Sequence, residues 1–271
     1  MAGRRVVLFG AVIILAFIVV AVSAPRLAPY DPLEQNLKTR LQQPSKAHLL
    51  GTDEMGRDTL SRIIYGSRIS LLVGIIVVTV AGVIGMFLGL LAGYFGGWTN
   101  AIIMRFNDAL MSLPPIVLML ALCAALGGGL MSILISVGIV LAPTYCRLMC
   151  GQILALKNSD FITAAKVIGA RDWRVMSHHL LPNAFPPLLV LISINLGTAI
   201  MFEATLSFLG IGIRPPTATW GNMVMDGYRF LLKNPVLSFA PGLSITLLVL
   251  AFNLVGDGLR DALDPRLRGT L

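Results

Sequence analysis

Two carboxylic acids lie inside apolar runs and are the first residues that could do chemistry. Asp108 and Glu203 sit in stretches that are otherwise almost free of charge. A carboxyl group among apolar side chains can relay protons or bind a charged substrate. Glu203 falls near the end of its run, which favours solvation or pairing with a loop arginine over a substrate role. Arg105 precedes Asp108 by three residues on the same helical face, so we interpret this pair as structural.

Metal binding is the next chemistry to consider. His178 and His179 are adjacent, and adjacent side chains on a helix point in different directions, which favours polar residues at a helix boundary over a metal site. Cys146 and Cys150 are one helical turn apart. Both lie in or beside an apolar run, so we predict small buried hydrophobic residues at these positions.

A third cluster comprises Asp53, Glu54 and Asp58 in a glycine-containing turn. Its spacing does not fit an EF-hand, whose ligands occupy alternate positions and whose loop closes on a glutamate. We predict instead a turn followed by a separate helix on the membrane surface over residues 59–67. That helix would place three arginines in water or among lipid head groups: Arg57, Arg62 and Arg68.

The sequence contains no GxxxxGK[ST] phosphate loop, no zinc-protease motif and no Ser/His/Asp arrangement. If this protein works with ATP, another chain must bind the nucleotide.

The elements that position these residues are predicted to cross a membrane. Of the 271 residues, 56% are hydrophobic and 13% are charged, about half the charged share of a soluble domain. The mean hydropathy is +0.83. The net charge of +8 is not arranged as an aromatic-interleaved nucleic-acid patch, so we attribute it to membrane orientation and anionic head groups.

Six apolar runs predict six transmembrane helices, over residues 6–24, 69–94, 100–126, 131–149, 186–211 and 239–255. The first follows Arg4 and Arg5 and could be a cleaved signal peptide, but its length and Pro25 favour a retained span. Six spans place both termini on one side. The Lys and Arg counts on the two sides, 11 and 10, do not decide the orientation. The basic residues beside the first span and between 150 and 182 favour cytoplasmic termini.

The longest charge-bearing interval in the second half of the chain covers residues 159–182. Ser159 or Asp160 can cap a helix that Gly169 ends, and a second segment then runs on to Pro182. On physical grounds alone, this interval is either a plain helical loop between two spans or a segment with a task of its own.

The interval resembles the EAA loop of ABC-importer permeases. That pattern reads Glu-Ala-Ala, three residues, Gly, nine residues, Ile, one residue, Leu-Pro. The residues in register here are Ala164, Ala165, Gly169, Leu181 and Pro182. The sequence departs from the pattern twice, with Thr163 where Glu is usual and His179 where Ile is usual.

Other motifs resemble the C-type permease subunit of the dipeptide, oligopeptide and nickel branch of this family. They span nearly the whole chain and include Leu50-Gly51-Thr52-Asp53, Gly93-Tyr94-Phe95-Gly96-Gly97, Leu206-Ser207-Phe208-Leu209-Gly210, Trp220-Gly221, Ala251-Phe252-Asn253-Leu254-Val255-Gly256-Asp257 and Leu263-Asp264-Pro265. Each motif is weak alone, whereas together they are specific for the branch.

The resemblance implies an all-α membrane protein with six transmembrane helices, the type I importer permease (MetI-like) fold and cytoplasmic termini. Residues 1–68 would form an N-terminal span and an extracytoplasmic segment. Residues 69–271 would form a five-helix core with a cytoplasmic loop at 150–182. Within that loop, 159–173 would be a coupling helix that sits in a groove of an ATPase subunit. The implied coupling residues are Asp160, Thr163, Ala164, Ala165, Gly169, Ala170, Leu181 and Pro182, and Glu203 is the candidate for the pathway or outer gate.

The implied partners are a homologous B-type permease, two ATP-binding subunits that hold ATP and Mg²⁺, and a solute-binding protein that docks on residues 25–68 and 213–238. No cofactor is expected on this chain, and the expected location is a bacterial or archaeal cytoplasmic membrane. The implied cargo is di- or oligopeptides, with nickel or a metal chelate as the alternative. A stand-alone secondary transporter is a different possibility, disfavoured because the hydrophobic pattern shows no inverted repeat and no chain of intramembrane carboxylates.

Overall fold

The computed structural model describes residues 2–263, with side chains from residue 5 onwards, and this part of the chain is mostly helical. The helices are α1 Ala2–Val22, α2 Ala24–Leu27, α3 Thr59–Phe95, α4 Gly97–Met111, α5 Pro115–Ala125, α6 Leu130–Leu156, α7 Asp160–Val167, α8 Asp172–Arg174, α9 Leu181–Ala184, α10 Pro186–Phe208, α11 Trp220–Tyr228 and α12 Val236–Leu263. A 3₁₀ turn covers Leu37–Thr39 and a π-helix covers Val175–Leu180. The Arg4 side chain and the Asp264-Pro265 motif lie outside the described residues.

Five helices of the described chain are long and apolar enough to cross a membrane, namely α1, α3, α6, α10 and α12. The predicted run at 100–126 is not one helix, because α4 and α5 meet at an angle of 92°. Pro114 and Pro115 stand at the break, where a proline cannot continue the preceding helix. With 11 residues, α5 is about 16 Å long and too short to span the bilayer alone.

The surface helix predicted over residues 59–67 does not exist as a separate element. Helix α3 runs without interruption for 37 residues, about 55 Å. Its N-cap is Asp58, whose carboxylate accepts a hydrogen bond from the backbone N–H of Ser61 at 2.8 Å. The prediction of a separate helix over 59–67 was therefore wrong, since no helix-breaking residue divides those two turns from the span.

Glycines let α3 lie directly against α6. Gly85 and Gly89 are one turn apart, and a Cβ at these positions would overlap the backbone carbonyl oxygens of Ala142 and Cys146. A Cβ on Gly93 would lie only 2.7 Å from Cβ of Ile153. Small residues at such an interface allow the close backbone approach typical of membrane helices.

Polar contacts join α4 to α6. The Nδ2 of Asn100 donates to Sγ of Cys150 at 3.3 Å, and the Nδ2 of Asn107 donates to Sγ of Cys146 at 2.8 Å. Both cysteines are buried, as predicted. Here they are also hydrogen-bond acceptors, and Cys146 pairs the buried amide of Asn107, which would be costly to bury without a partner.

The first and last spans lie side by side and run antiparallel. Gly10 of α1 faces Leu254 of α12, and Gly258 faces Val7. The start of α1 and the end of α12 therefore share one end of the bundle. That end also carries α7, and we call it the α7 end. The opposite end carries α11, and we call it the α11 end.

Candidate functional site

Helix α7 begins and ends where the sequence predicted. Ser159 is the N-cap residue, although its hydroxyl donates to the carbonyl of Leu156 instead of accepting from the first turn. Gly169 has a φ of +83°. The N–H of Ala170 reaches the carbonyl of Ala165 and that of Gly169 reaches Lys166, each at 3.0 Å. This pairing is a Schellman ending, which favours glycine at the left-handed position.

The small residues of the loop point in different directions. Ala165 is buried against the protein's own core together with Ile162. Ala164 and Gly169 are exposed, and a Cβ on Gly169 would meet no atom of the described chain within 4 Å. Of the three, only Ala164 and Gly169 are therefore placed to face another molecule.

The remaining loop residues singled out in the sequence are mostly exposed. Asp160 lies in the first turn of α7, and Thr163 closes its hydroxyl onto the carbonyl of Ser159 at 3.2 Å. Leu181 packs partly against the core, whereas Pro182 is exposed. Pro182 has no N–H to donate. It lies in the first turn of α9, directly after the π-helix, where that donor is not needed.

Sequence reasoning missed the large apolar side chains that this loop exposes. Val167 and Ile168 are 80% and 84% exposed, and Trp173 is 64% exposed. Phe161 is also exposed. An exposed apolar patch with charged residues at its rim is typical of a protein interaction surface. The sequence could have indicated this surface, because large apolar residues interrupt an otherwise polar interval.

The loop is fastened to the end of α3. The Tyr94 hydroxyl donates to the carboxylate of Asp172. The ammonium of Lys166 lies 5.4 Å from the centroid of the same tyrosine ring, within cation–π range. Lys157 adds a bond to the carbonyl of Gly93 at 3.3 Å. A displacement of the loop therefore acts directly on α3.

At the α11 end, two distant segments form one surface. The Nε2 of Gln43 donates to the carbonyl of Lys233 at 2.6 Å, and the Nδ2 of Asn234 donates to that of Gln42 at 3.2 Å. Residues 213–238, part of the implied docking surface, contain α11. Trp220, which begins α11, is fully buried and donates to the carbonyl of Ile63 at 3.0 Å.

Two arginines at this end are buried, contrary to prediction. Arg57 and Arg62 are 4% and 3% exposed, and their Nε atoms lie 2.6 and 3.6 Å from Oδ2 of Asp53. Their pairing with this carboxylate, under the cover of α11, explains the error. Arg68 is exposed, as predicted.

Asp226 of α11 lies close to these charges and is half-buried. Burial raises the pKa of its carboxyl group, and the neighbouring Glu54 carboxylate raises the pKa further. Three nearby cations lower the pKa of Asp226, but by less than burial and Glu54 raise it: Arg57, Arg62 and Arg229.

Glu203 is fully buried and neither solvated nor paired with arginine, so that part of the sequence interpretation was wrong. Ser207 donates to its Oε1 at 2.9 Å, and Ser70 of α3 lies 3.5 Å from its Oε2. Helix α11 closes over this site, since a Cβ on Gly221 would lie 2.7 Å from Cβ of Ser207. Glu203 thus links α10 to α3 beneath α11.

Asp108 also has a partner that the sequence did not predict. Its Oδ1 lies 2.7 Å from the Nη2 of Arg147 on α6. Both side chains are half-exposed. The interpretation of a structural pair holds, but the partner Arg105 was wrong because the antiparallel packing of α4 and α6 brings Arg147 closer.

These features define a class of protein. A bundle of membrane-crossing helices, with an apolar-tipped helical loop fixed to its longest span, is the architecture of a multi-pass transport permease. Residues 85–269 match the family described as the inner membrane component of binding-protein-dependent transport systems. Residues 3–44 match the N-terminal transmembrane domain of oligopeptide transport permease C. The chain belongs to this family of ABC-importer permeases, and it is a permease subunit and not the ATPase.

Curated proteins similar to this chain include permeases named for peptide transport. The chain is 43% identical to the dipeptide transport system permease protein DppC of Alkalihalophilus pseudofirmus, over 98% of this chain and 87% of that protein. It is 43% identical to the probable D,D-dipeptide transport system permease protein DdpC of Escherichia coli, over 98% and 90%. It is 42% identical to the glutathione transport system permease protein GsiD of Pectobacterium atrosepticum, over 98% and 88%.

Solved structures confirm the predicted MetI-like fold. Two crystal forms of the MetNI methionine ABC transporter in inward-facing conformations align with TM-scores of 0.60 and 0.61. The alignments cover 75% and 76% of this chain and 96% and 97% of the solved chain, at 19% and 20% identity. This likeness concerns the fold alone.

Proposed function

We propose that this chain forms half of the translocation pathway of an ATP-driven importer of di- and oligopeptides. The observation that carries the proposal is full-length similarity at 42–43% identity to permeases named for dipeptide, D,D-dipeptide and glutathione transport. The other half of the pathway is a homologous B-type permease. Two ATP-binding subunits drive the cycle, and an extracytoplasmic protein delivers the peptide.

The α7 end is the cytoplasmic end in this proposal, so both termini are cytoplasmic, in a bacterial or archaeal membrane. Segment 159–173 is the coupling helix, with 150–182 as its loop. Support comes from the exposure of Ala164, Gly169 and the apolar tip, and from the Tyr94–Asp172 hydrogen bond that links the loop to a membrane-crossing helix. Ala165, Ala170 and Leu181 have a positioning role, since each packs against the core.

The α11 end is extracytoplasmic in the same proposal and receives the solute-binding protein on residues 25–68 and 213–238. The hydrogen bonds between Gln42, Gln43 and the 233–234 segment support this assignment, because they hold the two stretches as a single surface. Glu203 acts in the outer gate by tying α10 to α3. Its complete burial argues against direct contact with cargo in this conformation.

Uptake by the reconstituted four-component complex tests the cargo. Proteoliposomes loaded with ATP and supplied with the binding protein should accumulate labelled dipeptide, and a competing unlabelled tripeptide or glutathione should reduce the signal. Ni²⁺ added alone tests the alternative. Nickel accumulation without peptide accumulation would contradict the peptide assignment, and uptake that persists without ATP would contradict an ATP-driven importer.

A further inference from the structure

A groove of about 680 Å³ opens beside the C-terminal end of α7. Its lining includes Ile168, Arg171, Trp173, Arg174 and His178. The groove thus combines two guanidinium groups and an imidazole with two large apolar side chains, all of them exposed.

The two guanidinium groups have no acidic partner within the described residues. The four ion pairs found there involve other side chains. The nearest acid in sequence, Asp172, instead accepts the hydroxyl hydrogen bond of Tyr94. Arg171 and Arg174 therefore leave their donors free for a carboxylate, which a guanidinium group can bind through two parallel hydrogen bonds.

The groove lies beyond the membrane core. Helix α6, which leads into the loop, has 27 residues and is about 40 Å long, against about 30 Å for the hydrocarbon layer. Ile168 and Trp173 are 84% and 64% exposed at this level. An exposed apolar patch beside arginines is typical of a protein interface, and the lipid composition in the test below separates this partner from lipid head groups.

We propose that this groove receives an acidic segment of an ATP-binding subunit, with a carboxylate between Arg171 and Arg174 and an apolar neighbour against Ile168 and Trp173. The proposal rests on the proposed function of the loop. It also accounts for Thr163, whose hydroxyl is closed onto its own helix and which offers no charge. In this chain the charged contact lies at the groove, and the permease supplies the positive side of it.

The test is the salt dependence of subunit association. The complex is purified by a tag on this chain, placed in nanodiscs of neutral phosphatidylcholine, and washed at increasing NaCl concentrations. The retained ATP-binding subunits are then quantified. The variants are Arg171→Ser with Arg174→Ser, the charge-preserving Arg171→Lys with Arg174→Lys, and the control Arg105→Ser. The control removes one charge from an exposed side chain of α4, outside both the loop and the groove.

We expect the double serine variant to lose at least about tenfold in apparent affinity at low salt, as two charge-assisted contacts are removed, and to lose the salt dependence as well. The double lysine variant should keep the salt dependence with an intermediate affinity, and Arg105→Ser should match the wild type. Normal amounts of the B-type permease in each preparation show that the variants fold.

Wild-type retention and salt dependence in the serine variant would overturn the groove proposal. The coupling role would stand if the same variant, reconstituted in proteoliposomes, still showed ATP-driven uptake. A loss that appears only when anionic lipid is included in the nanodisc would assign the groove to lipid and overturn it as well. Failure of the wild-type complex to hold any ATP-binding subunit would instead contradict the proposed function itself.

Discussion

At the scale of single residues, Asp53 is the only carboxylate within 4 Å of the two guanidinium groups of Arg57 and Arg62 in the described chain. Replacing Asp53 with Asn would leave two buried cations without a paired carboxylate. A cost of about 3–5 kcal/mol is expected when one partner of a buried pair is removed. The apparent melting temperature of the purified complex should fall steeply.

The matched control for Asp53→Asn is Glu34→Gln. Glu34 is exposed and forms no ion pair in the described chain, so its neutralisation should leave the melting temperature unchanged. Equal melting temperatures for Asp53→Asn and wild type would show that the buried arginines find compensation elsewhere.

Replacing Asp226 with Asn is expected to raise the melting temperature, whereas replacing Asp53 lowers it. Because burial and Glu54 raise the pKa of Asp226, the folded protein holds this proton more tightly than the unfolded chain. The group's contribution to stability is therefore fully present below its unfolded pKa, about 3.9, and is lost as the pH rises through the folded value. Asp226→Asn should melt at a higher temperature than wild type at pH 7.5, with the gap closing towards pH 4.

The control for Asp226→Asn is Asp160→Asn, which removes the same charge from an exposed side chain at the opposite end of the molecule. If Asp226→Asn melts below wild type at pH 7.5, attraction to the arginines outweighs burial and the raised pKa is refuted.

Substitutions at Gly169 test whether this position requires a left-handed backbone or the absence of a side chain. Its φ of +83° disfavours a β-branched residue by about 1–3 kcal/mol, whereas asparagine tolerates this region. We expect Gly169→Val to abolish peptide uptake with normal membrane insertion, and Gly169→Asn to retain part of the activity. If Asn is as damaging as Val, the absence of a side chain matters more than the turn. Normal transport and ATPase co-purification for Val would contradict the coupling role.

At the scale of helices, the contact between α3 and α6 depends on glycine. A Cβ on Gly89 would overlap the Cys146 carbonyl and lie 2.8 Å from Cβ of Met149. Gly89→Ala should therefore separate the helices and reduce the yield of folded complex several-fold, as overpacking costs about 1–3 kcal/mol. Gly151→Ala is the control, because its Cβ would meet no atom within 4 Å and alanine favours a helix. Equal yields of the two variants would show that α3 can shift to accommodate a methyl group.

The helices were predictable to the extent that hydropathy and local capping determine them. The spans of α1, α6, α10 and α12 and the ending of α7 at Gly169 follow from residues near each other in the chain. The right angle between α4 and α5, the burial of Arg57 and Arg62, and the Arg147 partner of Asp108 depend on elements distant in sequence. The same reason applies to Glu203, whose burial needs α3 on one side and α11 above.

At the scale of the whole molecule, the chain is one component of a machine whose chemistry lies on other subunits. The purified chain alone should therefore release no phosphate from ATP above the buffer rate. Adding the ATP-binding subunits and the B-type permease should restore hydrolysis. Turnover by the chain after rigorous removal of those subunits would contradict its assignment as a permease subunit.

Helix α3 starts beside the α11 surface, where Asp58 caps it and binds His48 at 2.9 Å. Near its other end, Tyr94 binds the loop through Asp172. A stiff rod of about 55 Å thus has one tip in each compartment. A tilt of about 10° around its midpoint would swing the tips by about 5 Å in opposite directions. In the proposed orientation, docking of the binding protein at one tip and binding of nucleotide near the other would both act on this one helix, with no relay of side chains in between.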